Sequence, residues 1–545
     1  MIWLLGLAGS TAAYHKAKRS FAQARYVVAA ICIAASVAFI WIAMAADTNN
    51  QPIAQADPLP PNTPIGSAKG IYPGRVVWIH DPNATNWEGP FMGDGHWWEN
   101  THTDQNVINE MMLKSISTLA GEPNISTAWD HLFRYFNQQH GKGDVGYQAG
   151  EKIMIKVNFV YMIAVWGDTR YSLLSRDPND AALCSPQIIR ALLDQLVNIV
   201  GVSQSDITIG DPICLWCNEF YNMIHPVFPD VHYLDYLGYY GRTKAQKSTV
   251  PFYWSTSKAN GKTQDYVMQS YVEAEYLINL ASLKGHYNQA GITACGKNHY
   301  GSLRCPDASR LPAGYYSMHS DTPYSVPASG SYRNMVDLMG HRHVGGKTLL
   351  CLFDALYSGK HAQYNDPPLN QLPRKWTSSP FNNDWPSSIF ASQDQVAIDS
   401  VGFDFLVTEW SDAAGPAHAG TDDYLHEAAL ADNPPSGTFY DPEHDGTRLS
   451  SLGVHEHWNN ATDKQYSRNL DPINGSGIQL VTGPYLSGDF EPDGDVNFKD
   501  FAVLAAAWAS RPGDTNWNAA CDISTPRDGV IDERDLAVFC DNWLN

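Results

Sequence analysis

The chain has 545 residues, 44% of them hydrophobic and 17% charged, and its 57 acidic against 36 basic side chains give a formal charge of -21. Such a length and apolar share describe a globular protein with room for two or more domains and exclude a disordered one. The acidic balance excludes nucleic acid as a partner, because binding phosphate backbones needs a basic footprint.

Residues 26–46 form an uncharged apolar run behind Lys16, Lys18, Arg19 and Arg25. The run is long enough to span a bilayer, and its positive flank should stay in the cytoplasm. Ala43-Met44-Ala45 offers a small-residue cleavage pattern, so a cleaved signal peptide and an uncleaved anchor both fit. Residues 1–46 are therefore expected to be a membrane or signal helix that exports the chain. Localisation is then extracytoplasmic, with membrane contact only through this segment. Residues 47–69, rich in Pro, Asn and Gln, read as a linker. Cys32 lies in the apolar run, and the other eight cysteines permit disulfides without fixing their pairing.

Residues 75–80 (RVVWIH) read as a strand. The loop after it carries Asp94, His96 and His102 without metal-ligand spacing, which favours surface histidines over a metal site. Residues 104–119 and 126–138 read as amphipathic helices. Ser126 is the expected N-cap of the second, with Trp129, Leu132, Phe133 and Phe136 on one face. From residue 152 strands alternate with helices. The strands are expected at 153–157, 206–210, 276–280, 347–353 and 388–391. The helices are expected at 185–200, with Pro186 in its first position, and from 395 to about 407. The pattern predicts an α/β fold, a mostly parallel sheet flanked by helices over residues 70–430.

In parallel sheets the ligand crevice lies beyond the carboxyl ends of the strands. At those ends this chain offers Lys156 and Asn158, Asp211, Lys284 and His286, Asp354, and Asp394. Each alone has a structural explanation: Asp394 as a helix cap, Asp211 as a turn residue, Lys156 as a solvated charge. Together they predict one shared site. The stretch 276–301 that contributes Lys284 and His286 continues into Lys297, Asn298 and His299, a cationic run in an acidic chain. Lysines and histidines around carboxylates can hold an anionic small molecule by charge-assisted hydrogen bonds. Alternatively, Lys284, His286, Lys297 and Asp211 can act as general acids and bases. A third reading has Asp211, Asp354 and Asp394 hold magnesium or calcium. No G-x-S-x-G, G-x-x-x-x-G-K-[ST] or H-E-x-x-H motif is present, so serine-hydrolase, P-loop and zincin chemistry lack support. Cys214 and Cys217, a C-x-x-C pair, are expected as a local disulfide or an inert pair before a redox centre. Cys295 and Cys305 are placed to staple the loop carrying Lys297 and His299.

The strings KIMIKVNF (152–159), SPQIIRALLDQL (185–196), DITIGDP (206–212), YLINLASLKGHYNQAGITACGKNHYGS (276–302) and SQDQVAIDSVGFDFL (392–406) resemble, in this order, a family known as domain of unknown function 362. The resemblance spans about residues 70–430. It implies an α/β fold and a site around Lys156, Asn158, Asp211, Lys284, His286, Lys297, Asn298 and Asp394, with no cofactor assigned. Many relatives add a ferredoxin-like module with four closely spaced cysteines. This chain has no such run, so no iron-sulfur cluster is expected.

Residues 431–485 read as an irregular strap packing back on the main domain, with His455 and His457 within it. Residues 486–545 hold the most specific motif. Asp489, Glu491, Asp493, Asn497 and Asp500 stand at positions one, three, five, nine and twelve of a calcium loop. Gly494 takes position six, and Asp495 offers its carbonyl at position seven. A second copy, two residues longer, runs through Asp522, Ser524, Asp528, Gly529, Asp532 and Asp535. Two such loop-helix units resemble a type I dockerin, a small all-α calcium-binding module. That resemblance implies calcium as a cofactor, a cohesin-like protein or cell-surface component as partner, and a link to polysaccharide catabolism. The expectation is an exported protein whose α/β domain binds an unidentified anionic small molecule or a metal, carried by a docking module. A non-catalytic binding or assembly protein is the alternative. A polysaccharide-degrading hydrolase would rest on the dockerin resemblance alone, since no carboxylate pair can be assigned from sequence.

Overall fold

The computed structural model describes residues 59–164, 167–176, 180–256, 264–286, 292–303, 330–360, 372–411, 422–483, 488, 490, 496–518, 521–524 and 528–543. Outside the described residues lie the expected signal or membrane helix 1–46, most of the linker, Cys305, and Asp489, Glu491, Asp493, Gly494 and Asp495 of the first calcium loop. Every described residue belongs to the second of two compact units, residues 55–545. Among the described residues no helix is long and apolar enough to cross a membrane.

The apolar runs form a nine-stranded sheet. Its strands are β1 (Arg75–His80), β2 (Ile153–Lys156), β3 (Ile207–Gly210), β4 (His232–Asp235), β5 (Thr243–Lys244), β6 (Tyr276–Ser282), β7 (Thr348–Ala355), β8 (Ser388–Ser392) and β9 (Gln479–Thr482). Their spatial order is β9-β1-β8-β7-β6-β2-β3-β4-β5. Every pairing is parallel except those of β8, which runs against both β7 and β1. The sheet is thus mostly parallel, as its composition predicts, with one strand reversed.

Both faces are buried, which is why the strands read as nearly continuous apolar runs. On β6, Tyr276, Ile278 and Leu280 face one core with α1 (Gln105–Ala120), α2 (Ile125–Gln139) and α3 (Pro186–Asp194). Leu277 and Ala281 face the other, with the short α4 (Cys295–Asn298) and α5 (Gln395–Glu409). Helices on both faces of a parallel sheet make a three-layer α/β domain.

Local signals set the helix boundaries. Ser185 caps α3 by accepting from Ile188 N at 3.2 Å, with Pro186 following it. The helix expected to run to residue 200 loosens into a π-helical segment, Gln195–Val200, ended by Gly201 in the left-handed region. The N-cap of α2 is Asn124, not Ser126: Asn124 Oδ1 accepts from Thr127 N at 3.0 Å, and Ser126 already lies inside the first turn.

The strap packs back on the main domain as expected but is not wholly irregular, and of the two readings of Cys214 and Cys217 the local disulfide is absent. The strap 431–485 contributes β9, parallel to β1, and Val454–His455, paired with Ile65–Gly66, so it completes the main domain. Cys214 and Cys217 are free buried thiols, as is Cys295. Cys214 is held in an antiparallel bridge to Ile163 and Cys217 precedes the helix Asn218–Ile224, so the two sit in separate backbone settings.

At the C-terminus, α6 (Phe498–Ala506) and α7 (Glu533–Asp541) share a small core of Val496, Leu504, Ile531 and Phe539. Both repeats use one device. Asp500 accepts from Phe490 N at 2.6 Å and Asn497 N at 3.0 Å, and Asp535 accepts from Ile523 N at 2.7 Å and Asp532 N at 2.9 Å.

Removing the α2 cap tests the boundary: Asn124→Ala should lower stability by about 1 kcal/mol in urea unfolding, and Ser126→Ala by less than about 0.5 kcal/mol.

Candidate functional site

The carboxyl ends of β2, β3, β6 and β7 converge on one buried cluster of charges. Lys156 ends β2, and its Nζ lies 3.1 Å from Asp211 Oδ2, 2.7 Å from Val157 O and 3.3 Å from Asn298 Oδ1. Asp211 follows Gly210, where any side chain would overlap the Leu234 carbonyl of the adjacent β4. Its carboxylate also accepts from Phe159 N at 3.2 Å, which joins the loops after β2 and β3. Asp354, near the end of β7, accepts from Ser185 N at 2.5 Å and Leu356 N at 3.1 Å. Lys284, just past β6, donates to the Ala182 carbonyl.

Lys284–Gly285 pairs antiparallel with Ile292–Thr293, so the chain folds back and α4 returns to the strand ends. A network of asparagines fixes it there. Asn298 Nδ2 donates to Asn279 Oδ1 at 2.7 Å and Leu280 O at 3.1 Å. Its Oδ1 accepts from Lys156 Nζ and from Asn158 Nδ2, both at 3.3 Å. Asn279, on the inner side of β6, donates to Cys295 O at 2.9 Å and His299 Nε2 at 3.1 Å. Asp399 of α5 holds the other end of α4, accepting from Cys295 N at 2.7 Å, Gly296 N at 2.8 Å and Tyr424 Oη at 2.9 Å. A side chain at Gly296 would press to 3.1 Å from Asp399 Oδ2, so glycine is what allows the clamp to close.

The aspartates of this cluster are satisfied by backbone N–H groups or a lysine; the cations are less so. Lys156, Lys284 and Lys297 are 1%, 1% and 7% exposed. Among the described residues Lys297 Nζ is buried with no hydrogen-bond partner, and so is Asn158 Oδ1. Burial pulls Lys284 down to about 8 against the upward pull of Asp354 and Asp211. Burial, helped by the nearby Lys284 charge, pulls Lys297 well below the usual lysine value. Burial beside Lys156 lowers His299 to about 3, which leaves it neutral. Burial likewise pushes the Cys184 and Cys214 thiols up, so neither supplies negative charge. Asp354 is raised by burial and pulled back by its amide donors. An unpaired buried ammonium is expensive, and it is relieved by deprotonation or by an anion.

The structure therefore brings together Lys156, Asn158, Asp211, Lys284, Lys297, Asn298 and Asp354, with His286 buried next to Gly285 in the chain. It places Asp394 elsewhere. Because β8 is reversed, its carboxyl end lies at the opposite edge of the sheet. There Asp394 caps α5 through Val396 N at 3.0 Å and Ala397 N at 2.9 Å and ties in Lys69 N at 2.8 Å. That separation removes the three-aspartate metal reading. Among the described residues no group of three or more His, Cys, Asp or Glu is arranged to hold a metal. His96 instead pairs with Asp180 at 2.8 Å, His455 with Ser400 at 2.8 Å and His457 with Asp404 at 2.6 Å.

Sequence reasoning missed Asn279, Asp399 and Asp235. Asn279 is a lone polar residue in the apolar run YLINLAS, which is its only signal. Asp235 ends β4 and closes a turn through Leu237 N at 3.0 Å and Gly238 N at 2.6 Å. Asp399 lies within a helix and carries no local signal for its contact with α4.

A family model described as Domain of unknown function (DUF362) matches residues 170–404, so over that stretch the chain is similar to that family. The match covers Asp211, Lys284, Lys297, Asn298, Asp354 and Asp399; Lys156 and Asn158 precede it. No curated protein matches the chain.

The two buried aspartates of α5 should separate in function. Asp394→Ala should lower stability by about 2 kcal/mol and leave hydrogen exchange at α4 unchanged. Asp399→Asn, which keeps only one acceptor oxygen, should speed exchange of the Cys295 and Gly296 amides by about tenfold or more.

Proposed function

We propose that the α/β domain binds a small anion at the buried lysines of the strand ends, Lys284 with Lys297 beside it. The observation that carries this reading is Lys297 Nζ, buried without an acceptor among the described residues, in a cluster whose carboxylates already have donors. An anion would supply the missing acceptor and return both Lys284 and Lys297 to the charged state. A cation would meet three lysines and no free carboxylate cluster.

The apolar run 26–46 with its basic flank supports export of this domain. The C-terminal repeats support calcium binding and docking to a cohesin-like protein or a cell-surface component. In the second loop Asp522 Oδ2 accepts from Gly529 N at 3.1 Å, while its Oδ1 is buried with no partner among the described residues, which leaves it open to a cation. Ser524, Asp528, Asp532 and Asp535 lie in the same loop, with Asp528 shared by Arg534. Calcium would have to draw these carboxylates together on binding, since among the described residues no three of them are arranged around one point. A link to polysaccharide catabolism would follow from the docking partner.

Anion binding should depend on pH with a defined sign. Lys284 is charged below about 8 and Lys297 takes up a proton on binding, so affinity should fall as pH rises through about 8 and continue to rise as pH falls below it. Lys297→Met should abolish binding measured by calorimetry with acetate, sulfate and phosphate; retention of wild-type affinity would sink the reading. Chelating calcium should unfold the C-terminal module, seen as lost helical circular dichroism and new proteolytic cuts in residues 486–545; an unchanged spectrum and digest would refute calcium-dependent folding.

A further inference from the structure

The carboxyl ends of β1 and β9 hold a cavity apart from the lysine cluster. Because β8 runs against both its neighbours, β1 ends at the same edge of the sheet as β7 and β6. β9 stops at Thr482, in register with Trp78, while β1 continues through Ile79 and His80. Beside this stagger lies a cavity of about 340 Å³, lined by Trp78, Ile79, His80, Asp81, Lys114 of α1 and Thr482. Its volume is that of a small-molecule site.

The imidazole of His80 is fixed by its surroundings. Nδ1 lies 3.0 Å from Pro386 O, a carbonyl that can only accept, so Nδ1 carries the proton of the ring. Ser388 Oγ accepts from Trp78 Nε1 at 2.9 Å and donates to the same carbonyl. Phe381 meets the ring edge-on, with centroids 5.3 Å apart. Nε2 is therefore left as an acceptor, and among the described residues nothing donates to it. His80 is half-buried, and Nε2 is its open end. Asp81 Oδ1 accepts from Asn83 N at 3.0 Å and Asn83 Nδ2 at 2.9 Å, which leaves Oδ2 available. Lys114 makes neither an ion pair nor a hydrogen bond among the described residues.

One cavity thus presents acceptors, His80 Nε2 and Asp81 Oδ2, together with donors, Lys114 Nζ and the Thr482 hydroxyl, around the apolar Trp78 and Ile79. The carboxylate and the ammonium balance each other, so a ligand of either sign would meet one like charge. Hydroxyl groups both donate and accept, so several of them on one small carbon skeleton can answer both kinds of group without adding charge. The C–H groups of such a skeleton suit the apolar part of the lining.

We propose that this cavity binds a neutral polyhydroxylated molecule, one sugar unit, whose hydroxyls donate to His80 Nε2 and Asp81 and accept from Lys114. The site is separate from the anion-binding lysines and stands or falls without them.

The test is saturation-transfer NMR of the full chain at pH 8 with glucose, mannose, galactose and the glucan fragment cellotetraose. Saturable binding of a hexose would assign the cavity to a free sugar, and binding of cellotetraose alone would assign it to a chain end. Failure of all four to bind would overturn the proposal. Lys114→Met and His80→Phe should each weaken the binding about tenfold, the worth of one hydrogen bond to a charged or enclosed partner. Wild-type affinity in either variant would place the sugar elsewhere and overturn the proposal. The Lys114 variant decides the matter if the His80 variant fails to fold, because Lys114 is a half-buried helix residue without a partner to lose. The uronate and the amino sugar corresponding to the bound hexose should displace it less well than the hexose itself; better displacement by either would overturn the choice of a neutral ligand.

Discussion

The buried cluster at the strand ends depends on the carboxamide of Asn298. Its oxygen faces a lysine and a second asparagine, its nitrogen a third asparagine and two strand carbonyls. Through it, the ends of β2 and β6 and the short helix α4 are held in one arrangement. A polar network this deeply buried is stable only when each member finds partners, so it allows few alternatives. It is also why the groups of the network left without a partner among the described residues, Lys297 Nζ, Asn158 Oδ1 and His299 Nδ1, stand out as exceptions. Such exceptions in a packed interior call for a functional explanation.

The electrostatics run against the composition. The chain carries a formal charge of -21, yet its most enclosed site concentrates lysines. Burial alone would drive these amines neutral, and the low values of Lys284 and Lys297 express that pressure. Acidic surroundings do not cancel the local cations, because over distances beyond about 10 Å surface charges are screened by salt while buried neighbours are not. The cationic character of the strand ends is therefore independent of the sign of the surface.

Much of this was legible in the sequence. The alternation of apolar runs and helices predicted the sheet, and the strand ends pointed to Lys156, Asp211, Lys284 and Asp354, which the fold gathers. Asp394 was misplaced because a short apolar run such as SIFAS carries no information about strand direction. Only its antiparallel pairing with β7 shows that its end belongs to the opposite edge. Asn279 and Asp399 were unreadable for a different reason: their partners lie on α4, and the contact exists only once the chain has folded back. The segment 431–485 looked irregular because its strand is four residues long and surrounded by Asn, Asp and Gly.

The position of β1 has a consequence for how the domain assembles. It is the first strand of the sheet to be synthesised, yet its two neighbours are β8, Ser388–Ser392, and β9, Gln479–Thr482. Until nearly the whole domain has emerged, β1 has bare hydrogen-bonding edges on both sides. Closing such long loops is slow, and unpaired edges invite aggregation in the meantime. A chain ending at residue 430 would leave one of those edges open permanently. The apparent strap is thus the piece on which completion of the sheet waits, and folding of this domain belongs to the finished polypeptide.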